Sequence, residues 1–138
     1  MLSEVGVKGL EAQLRAELRA TELGYHVSRP TTENCRYDLV VDTGSALLRI
    51  QVKYCDTASA RAEGAVILDL RKRQAGPQKI RVYNEAEIDA VVAYVKPADC
   101  LCYFPASLIS GKQALTIRYA PSRNNQRRNV IWCGDYLW

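Results

Sequence analysis

The stretch RYDLVVDTGSALLRIQVKY, Arg36 to Tyr54, limits the possible fold more than any other part of this chain. Apolar residues alternate with polar ones on both sides of Thr43–Ala46, a pattern that predicts two antiparallel strands around a tight turn. With Thr43–Ala46 as the turn, Asp42 lies opposite Leu47 and Asp38 opposite Gln51. Side chains alternate across a strand, so Asp38, Val40, Asp42, Leu47, Arg49, Gln51 and Lys53 share one face. Leu39, Val41, Leu48, Ile50 and Val52 share the other, a nearly unbroken apolar surface suited to a covering helix. A slip of one residue would part the acid, the amide and the amine, so their meeting depends on register. By periodicity alone, the polar face equally fits an amphipathic hairpin turned to water.

Elsewhere the spacing is less constraining. Val7, Leu10, Leu14 and Leu18 recur at three- and four-residue intervals ahead of Gly24, which predicts a helix over 7–23. YHVSRP reads as a strand ended by Pro30, and AVILDLRKR and KIRVYN as two arms of a hairpin around QAGP. IDAVVAYVKP is mostly apolar and suits a central strand; CLCYFPA and ALTIRYA follow as shorter strands, with a helical turn at PASLIS. One helix followed by strands on short connections predicts an α/β or α+β layer with a mixed sheet, in a single domain spanning 1–138. The apolar end VIWCGDYLW fits an interface or a tail that covers the core.

Hydrophobic residues make up 48% and charged residues 25%, values that exclude a disordered chain. No apolar run approaches the ~20 residues needed to cross a bilayer. The N-terminal MLSEVGVKGLEAQ lacks a secretory layout, so a cytoplasmic location is expected. Five cysteines without framework spacing read as small buried apolar residues of a reducing compartment. Cys100, Cys102 and His26 make a poor zinc set, since the chain has no CxxC pair and a single histidine. Of nineteen basic residues, nine fall in RKRQAGPQKIR (71–81) and RYAPSRNNQRR (118–128), which hold no acid, so the rest of the chain is net acidic. Two basic segments on an acidic body point to a polyanion-binding surface, with solvated loop charge as the plainer alternative.

YDLVVD, followed thirteen residues after Asp38 by QVKY, resembles the active-site hairpin of the PD-(D/E)XK nuclease superfamily, in which an Asp opens one strand and acid-x-Lys follows on the next. Gln51 in place of the second acid resembles one branch, the group I intron-encoded homing endonucleases of cyanobacteria and their bacterial relatives. KG at the start of the first helix, LGYHVSRP after it, IDAVVAYV and CYFP in the later strands, and PSRNNQRRNVIW with DY at the end are similar to that branch too. The resemblance spans almost the whole chain. It implies an α/β, restriction-endonuclease-like core: a mixed central sheet with an N-terminal helix and a basic β-hairpin extension. The function it implies is metal-dependent, site-specific cleavage of double-stranded DNA, with Mg2+ or Mn2+ as cofactor.

The same resemblance implies Asp38 and the backbone carbonyl of Val52 as metal ligands, and Lys53 as the group that orients water or stabilises the phosphate. Gln51 would be a weak ligand or a water-positioning amide. The first helix of the related enzymes contributes a Glu where this chain has Gln13, a neutral isostere. One carboxylate between two amides binds a divalent ion poorly, so impaired cleavage is expected. Glu17, one turn on, is the better substitute acid; Glu11 lies about 200° around the helix from Gln13 and points elsewhere.

On this reading Arg71, Lys72, Arg73, Lys79 and Arg81, on a hairpin over 66–82, would enter the major groove. Arg123, Asn124, Asn125, Gln126, Arg127 and Arg128 would bond bases or phosphates. Cutting both strands needs two active sites, so a homodimer on a near-palindromic duplex is expected, and the resemblance implies a homotetramer. Two alternatives share the fold: a structure-specific nuclease like the Holliday-junction resolvases, and a DNA-binding module that has lost catalysis.

Overall fold

The computed structural model describes residues 1–73, 80–121 and 130–138. Helix α1 (Glu4–Glu22) starts at Ser3, whose hydroxyl accepts the Gly6 N–H at 3.1 Å. The chain continues through β1 (His26–Ser28), β2 (Leu39–Asp42), β3 (Leu47–Cys55), β4 (Ala65–Asp69), β5 (Arg71–Arg73), β6 (Ile80–Val82) and β7 (Ala90–Val95). Then come β8 (Cys100–Pro105), the short helix α2 (Ala106–Ile109), β9 (Ala114–Arg118), β10 (Ile131–Trp132) and a 3₁₀ turn, Cys133–Tyr136. No helix among the described residues is long and apolar enough to cross a membrane.

The main sheet has the order β1-β2-β3-β7-β8, with β3 and β7 parallel and the other neighbours antiparallel, so it is mixed as the sequence predicts. The apolar run IDAVVAYV supplies β7, all six of whose residues are buried. The β2–β3 register is also the expected one, with Asp42 opposite Leu47 and Leu39 opposite Ile50. Its turn is fixed by Asp42, whose Oδ1 accepts the Gly44 N–H at 2.8 Å. Gly44 has φ +87°, a left-handed conformation that a Cβ would strain.

Each face of the sheet has its own cover. On one, Ala12, Ala16 and Ala20 of α1 lie on Leu39, Val41, Ile50, Val52, Ala90 and Val92. On the other, Val91, Ala93, Cys102 and Phe104 meet Val66, Leu68, Leu115 and Ile117 of a small sheet ordered β10-β9-β4. Each Val, Leu, Ile or Phe side chain so buried contributes about 1.5–3 kcal/mol, and each alanine less.

Two expectations need revising, and one alternative is decided. The helical stripe of Val7, Leu10, Leu14 and Leu18 is the outer face of α1, at 47%, 38%, 49% and 60% exposure. The large side chains at the contact come from the sheet, so the helix approaches with alanines and turns its leucines outward. The two-armed hairpin over 66–82 is shorter than its sequence suggests. β4 pairs along its length with β9, and only β5 and β6 form the ribbon, with Lys72 opposite Arg81. Burial drives this split, because Val66 and Leu68 find a core under β9 that a solvent-facing hairpin lacks. The C-terminal run covers the core: Cys133 is buried, Tyr136 packs on Phe104 with ring centres 5.1 Å apart, and the Trp138 N–H donates to the Leu101 carbonyl at 3.1 Å.

Candidate active site

Asp38 stands one residue before β2 and is tied to β3 on both sides of Gln51. Its N–H donates to the Ile50 carbonyl at 2.9 Å, and its Oδ2 accepts the Val52 N–H at 2.9 Å. β2 ends its pairing at Leu39, so the carboxylate takes a main-chain donor that would otherwise lack an acceptor. The N–H and C=O of one strand residue point to the same edge, so the Val52 carbonyl is also turned toward Asp38. Gln51 Nε2 reaches that carbonyl at 3.5 Å, a marginal bond. Gln51 Oε1 is buried with no hydrogen-bond partner among the described residues, on a side chain only 8% exposed.

Lys53, two residues on and on the same face, lies over the Tyr83 ring, its Nζ 5.3 Å from the centroid. Arg36 covers that ring too, with Cζ at 4.7 Å, while its Nε bonds Glu87 at 2.9 Å and its Nη2 the Val82 carbonyl at 3.0 Å. The Tyr83 hydroxyl is a second buried polar atom without a partner among the described residues. Burial is the main influence that pushes its pKa up to about 12, with Asp38, Asp69 and Glu87 adding to the rise and Arg36 opposing it.

Electrostatically the pocket is unfinished. Burial raises the Asp38 pKa above the ordinary carboxylate value, against the Val52 hydrogen bond and the charges of Lys53 and Lys72. Burial also lowers the Lys53 ammonium, against the pull of Asp69 and Asp38. Opposite charges within electrostatic reach ordinarily favour each other; here the loss of solvent outweighs the attraction of Asp38 and Lys53, and both are pushed toward neutrality. One desolvated carboxylate, one main-chain carbonyl and one unbonded amide oxygen make a set of hard oxygen donors suited to a divalent cation such as Mg2+ or Mn2+.

The acids of α1 are committed elsewhere. Glu11 pairs with Arg15 at 3.0 Å and Lys96 at 3.7 Å, and Glu17 takes a two-pronged bond from Arg29, with Nη2 to Oε2 at 2.7 Å. Gln13 is half-buried beside the alanine stripe and forms no hydrogen bond with a described residue.

The basic ribbon is less free than its sequence suggests. Arg71 forks onto Asp69 with bonds of 3.0 and 3.1 Å, and Arg81 bonds Glu87 at 2.8 Å. Lys72 turns inward, its Nζ 2.9 Å from the Cys35 carbonyl. Arg73 belongs to β5. Lys79, Arg123, Asn124, Asn125, Gln126, Arg127 and Arg128 lie outside the described residues. Sequence reasoning missed Arg36, Asp69, Tyr83 and Glu87. Only Arg36 and Asp69 carried any signal, each two residues before a singled-out position, Asp38 and Arg71; Tyr83, just past β6, and Glu87, in the turn that follows, are placed by tertiary packing.

With this geometry in view, two comparisons bear on it. The family described as PD-(D/E)XK endonuclease matches residues 7–138. The solved structure of a bacterial homing endonuclease, I-Ssp6803I, is similar at a TM-score of 0.78 and 27% identity, over 98% of this chain and 89% of that one. No curated protein sequence matches significantly.

Proposed function

From the premise that this chain belongs to the PD-(D/E)XK endonuclease family, we propose that it is a homing-type, site-specific endonuclease for double-stranded DNA, intron-encoded and dependent on Mg2+ or Mn2+. Residues 1–138 act as one endonuclease domain in the cytoplasm. The observation that carries the reading is the Asp38 carboxylate, 2.9 Å from the Val52 N–H, on the same hairpin as Gln51, whose buried Oε1 has no hydrogen-bond partner among the described residues. Asp38, the Val52 carbonyl and Gln51 would hold the cation, with Gln13 in the position of a further ligand. When bound, such a cation polarises a phosphate oxygen and makes water a stronger nucleophile.

The chain's own groups do the rest. Lys53, confined over Tyr83, presents positive charge where the phosphate gains negative charge. Arg36 holds the Tyr83 ring from its other contacts and so keeps Lys53 in place. Arg71, Lys72, Arg73, Lys79 and Arg81, with Arg123, Asn124, Asn125, Gln126, Arg127 and Arg128, bind the duplex; Arg71 and Arg81 trade Asp69 and Glu87 for phosphates. Two copies act on a near-palindromic target, as a homodimer or homotetramer. The outward Val7, Leu10, Leu14 and Leu18 give α1 an apolar face for a second copy.

Gln13 impairs the reaction, since Asp38 alone supplies the ionised ligand and Glu17 is held by Arg29. The test is cleavage of a plasmid library with Mg2+ or Mn2+ by the native chain and by Gln13→Glu, with linear duplex and a four-way junction at matched salt. Cleavage of a defined duplex site only after Gln13→Glu is expected. Equal cleavage by both overturns the role of Gln13, and preference for the junction overturns site specificity. Gln13 also favours a second reading, a DNA-binding module of the same fold; salt-sensitive duplex binding with no cleavage by either protein would establish it.

A further inference from the structure

Among the described residues, one set of three metal-ligating side chains converges, and it lies away from the hairpin: Cys100, Cys102 and Cys133. We propose that these three thiols form a second metal site, for a single thiophilic cation of the zinc class. Cys100 and Cys102 are two residues apart on β8 and so share a face. Cys133 opens the terminal 3₁₀ turn, which is brought beneath them by a bridge between Cys102 and Leu137 and by the Trp138 bond to Leu101. The zinc set considered from sequence had the wrong third member: His26 sits on edge strand β1, whereas Cys133 has no spacing relation to the CxC pair.

Three Sγ atoms lie within 4.8 Å of one another, with Cys133 Sγ 2.6 Å from that of Cys100 and 3.0 Å from that of Cys102. Separations this small put all three sulfurs within reach of one cation. At a zinc–sulfur distance of ~2.3 Å, tetrahedral sulfurs stand about 3.8 Å apart, so modest side-chain rotations would seat the ion. Thiolates select zinc-class cations over Mg2+ or Mn2+, which separates this site chemically from the oxygen donors around Asp38.

A bound cation would displace the thiol protons, so its affinity should rise with pH. Solvent reaches the cluster through Cys100, which lines a cleft of about 390 Å³ together with Asp99, Arg15 and Trp138. A water entering there completes four-coordination. The site would pin the C-terminal turn to β8.

The test uses the full chain, reduced with a phosphine and freed of metal, titrated with Co2+ and then Zn2+. One equivalent of Co2+ giving thiolate charge-transfer and tetrahedral visible bands, bleached by Zn2+ and accompanied by a higher Tm, is expected. Asp38→Asn should leave these signals unchanged. Cys100→Ser, at the half-buried and least disruptive position, should weaken binding by at least tenfold. Folded, reduced protein that shows no such bands overturns the site. So does a disulfide, read as a two-hydrogen mass loss, that re-forms in preference to Zn2+ binding when oxidised glutathione and Zn2+ are supplied together.

Discussion

Asp38 and Asp89 occupy equivalent places on either side of β3: each immediately precedes a strand that flanks it, and each accepts a main-chain N–H from it. Asp89 takes the Arg49 N–H at 2.7 Å and Asp38 the Val52 N–H at 2.9 Å. Asp89 is then completed by the Arg49 side chain, with Nε at 3.0 Å and Nη2 at 3.2 Å, and Arg49 Nη1 is itself satisfied by the Ala86 carbonyl at 2.6 Å. The Arg49 hydrogen bond holds the Asp89 carboxyl below its ordinary pKa. Asp38 has no such fork, and burial carries it the other way. The same local device thus yields a finished ion pair on one side of β3 and an unfinished, chargeable pocket on the other. The two acids differ in the partners they find among the described residues, not in their place on the strand.

The contrast is broken most forcefully at Asp38. Asp38→Asn, in Gln13→Glu protein if the native chain is silent, should lower cleavage on the order of 10³-fold. The same change should raise the cation-free Tm by a few degrees, because Asn still accepts from Val52 without the buried charge. Cleavage and a thermal melt on one preparation check both. A fall in Tm would show that Asp38 is as structural as Asp89.

Substitution at Asp89 should act in the opposite sense. Asp89→Asn removes the charge behind the Arg49 fork and should cost about 1–2 kcal/mol, discounted because both side chains are about one-third exposed. Urea unfolding with an unchanged m-value would measure it. The two acids also differ in pH window. Stability from Asp89 is complete above the unfolded value of 3.8 and is lost as pH falls through its lower folded pKa. The penalty from Asp38 grows as pH rises from 3.8 through its higher folded pKa and is complete above it. Asp38→Asn should therefore flatten the stability profile just above pH 3.8, and Asp89→Asn should alter it only below that value.

The hairpin was legible because strand alternation and a four-residue turn fix register locally; the shared face of Asp38, Gln51 and Lys53 followed from register, while the Val52 carbonyl was suggested by the family resemblance alone. The apolar run of β7 announced a central strand for the same reason, being buried on both faces. What escaped depends on partners distant in sequence. Helical spacing identified α1, yet both an alanine and a leucine stripe fit one period, and only the bulk of the facing sheet chooses between them. The basic run at 71–81 contains no acid, but Asp69 and Glu87 lie just beyond its ends and neutralise Arg71 and Arg81. The KIRVYN arm was legible as a hairpin strand, but the placing of the Tyr83 ring against Lys53 and Arg36 joins residues far apart in sequence.

Gln51 offers the smallest effect and the sharpest use of the comparison, since it sits on the same face as Arg49, two residues along. Arg49→Met would strand the Asp89 carboxylate and destabilise. Gln51→Met should do the reverse, because a thioether of similar length removes an amide oxygen that is buried without a partner among the described residues. The lost amide bond to Val52 is only marginal at 3.5 Å, so a net gain of up to about 1 kcal/mol is expected in cation-free protein. The gain should shrink as Mg2+ or Mn2+ is added, since the proposed cation would stabilise the native protein through Gln51 more than it would the variant. Paired melts with and without the cation read this directly. If Gln51→Met is destabilised in both conditions, the amide is already satisfied within the folded chain, and β3 would then carry two finished structural sites rather than one site awaiting its ligand.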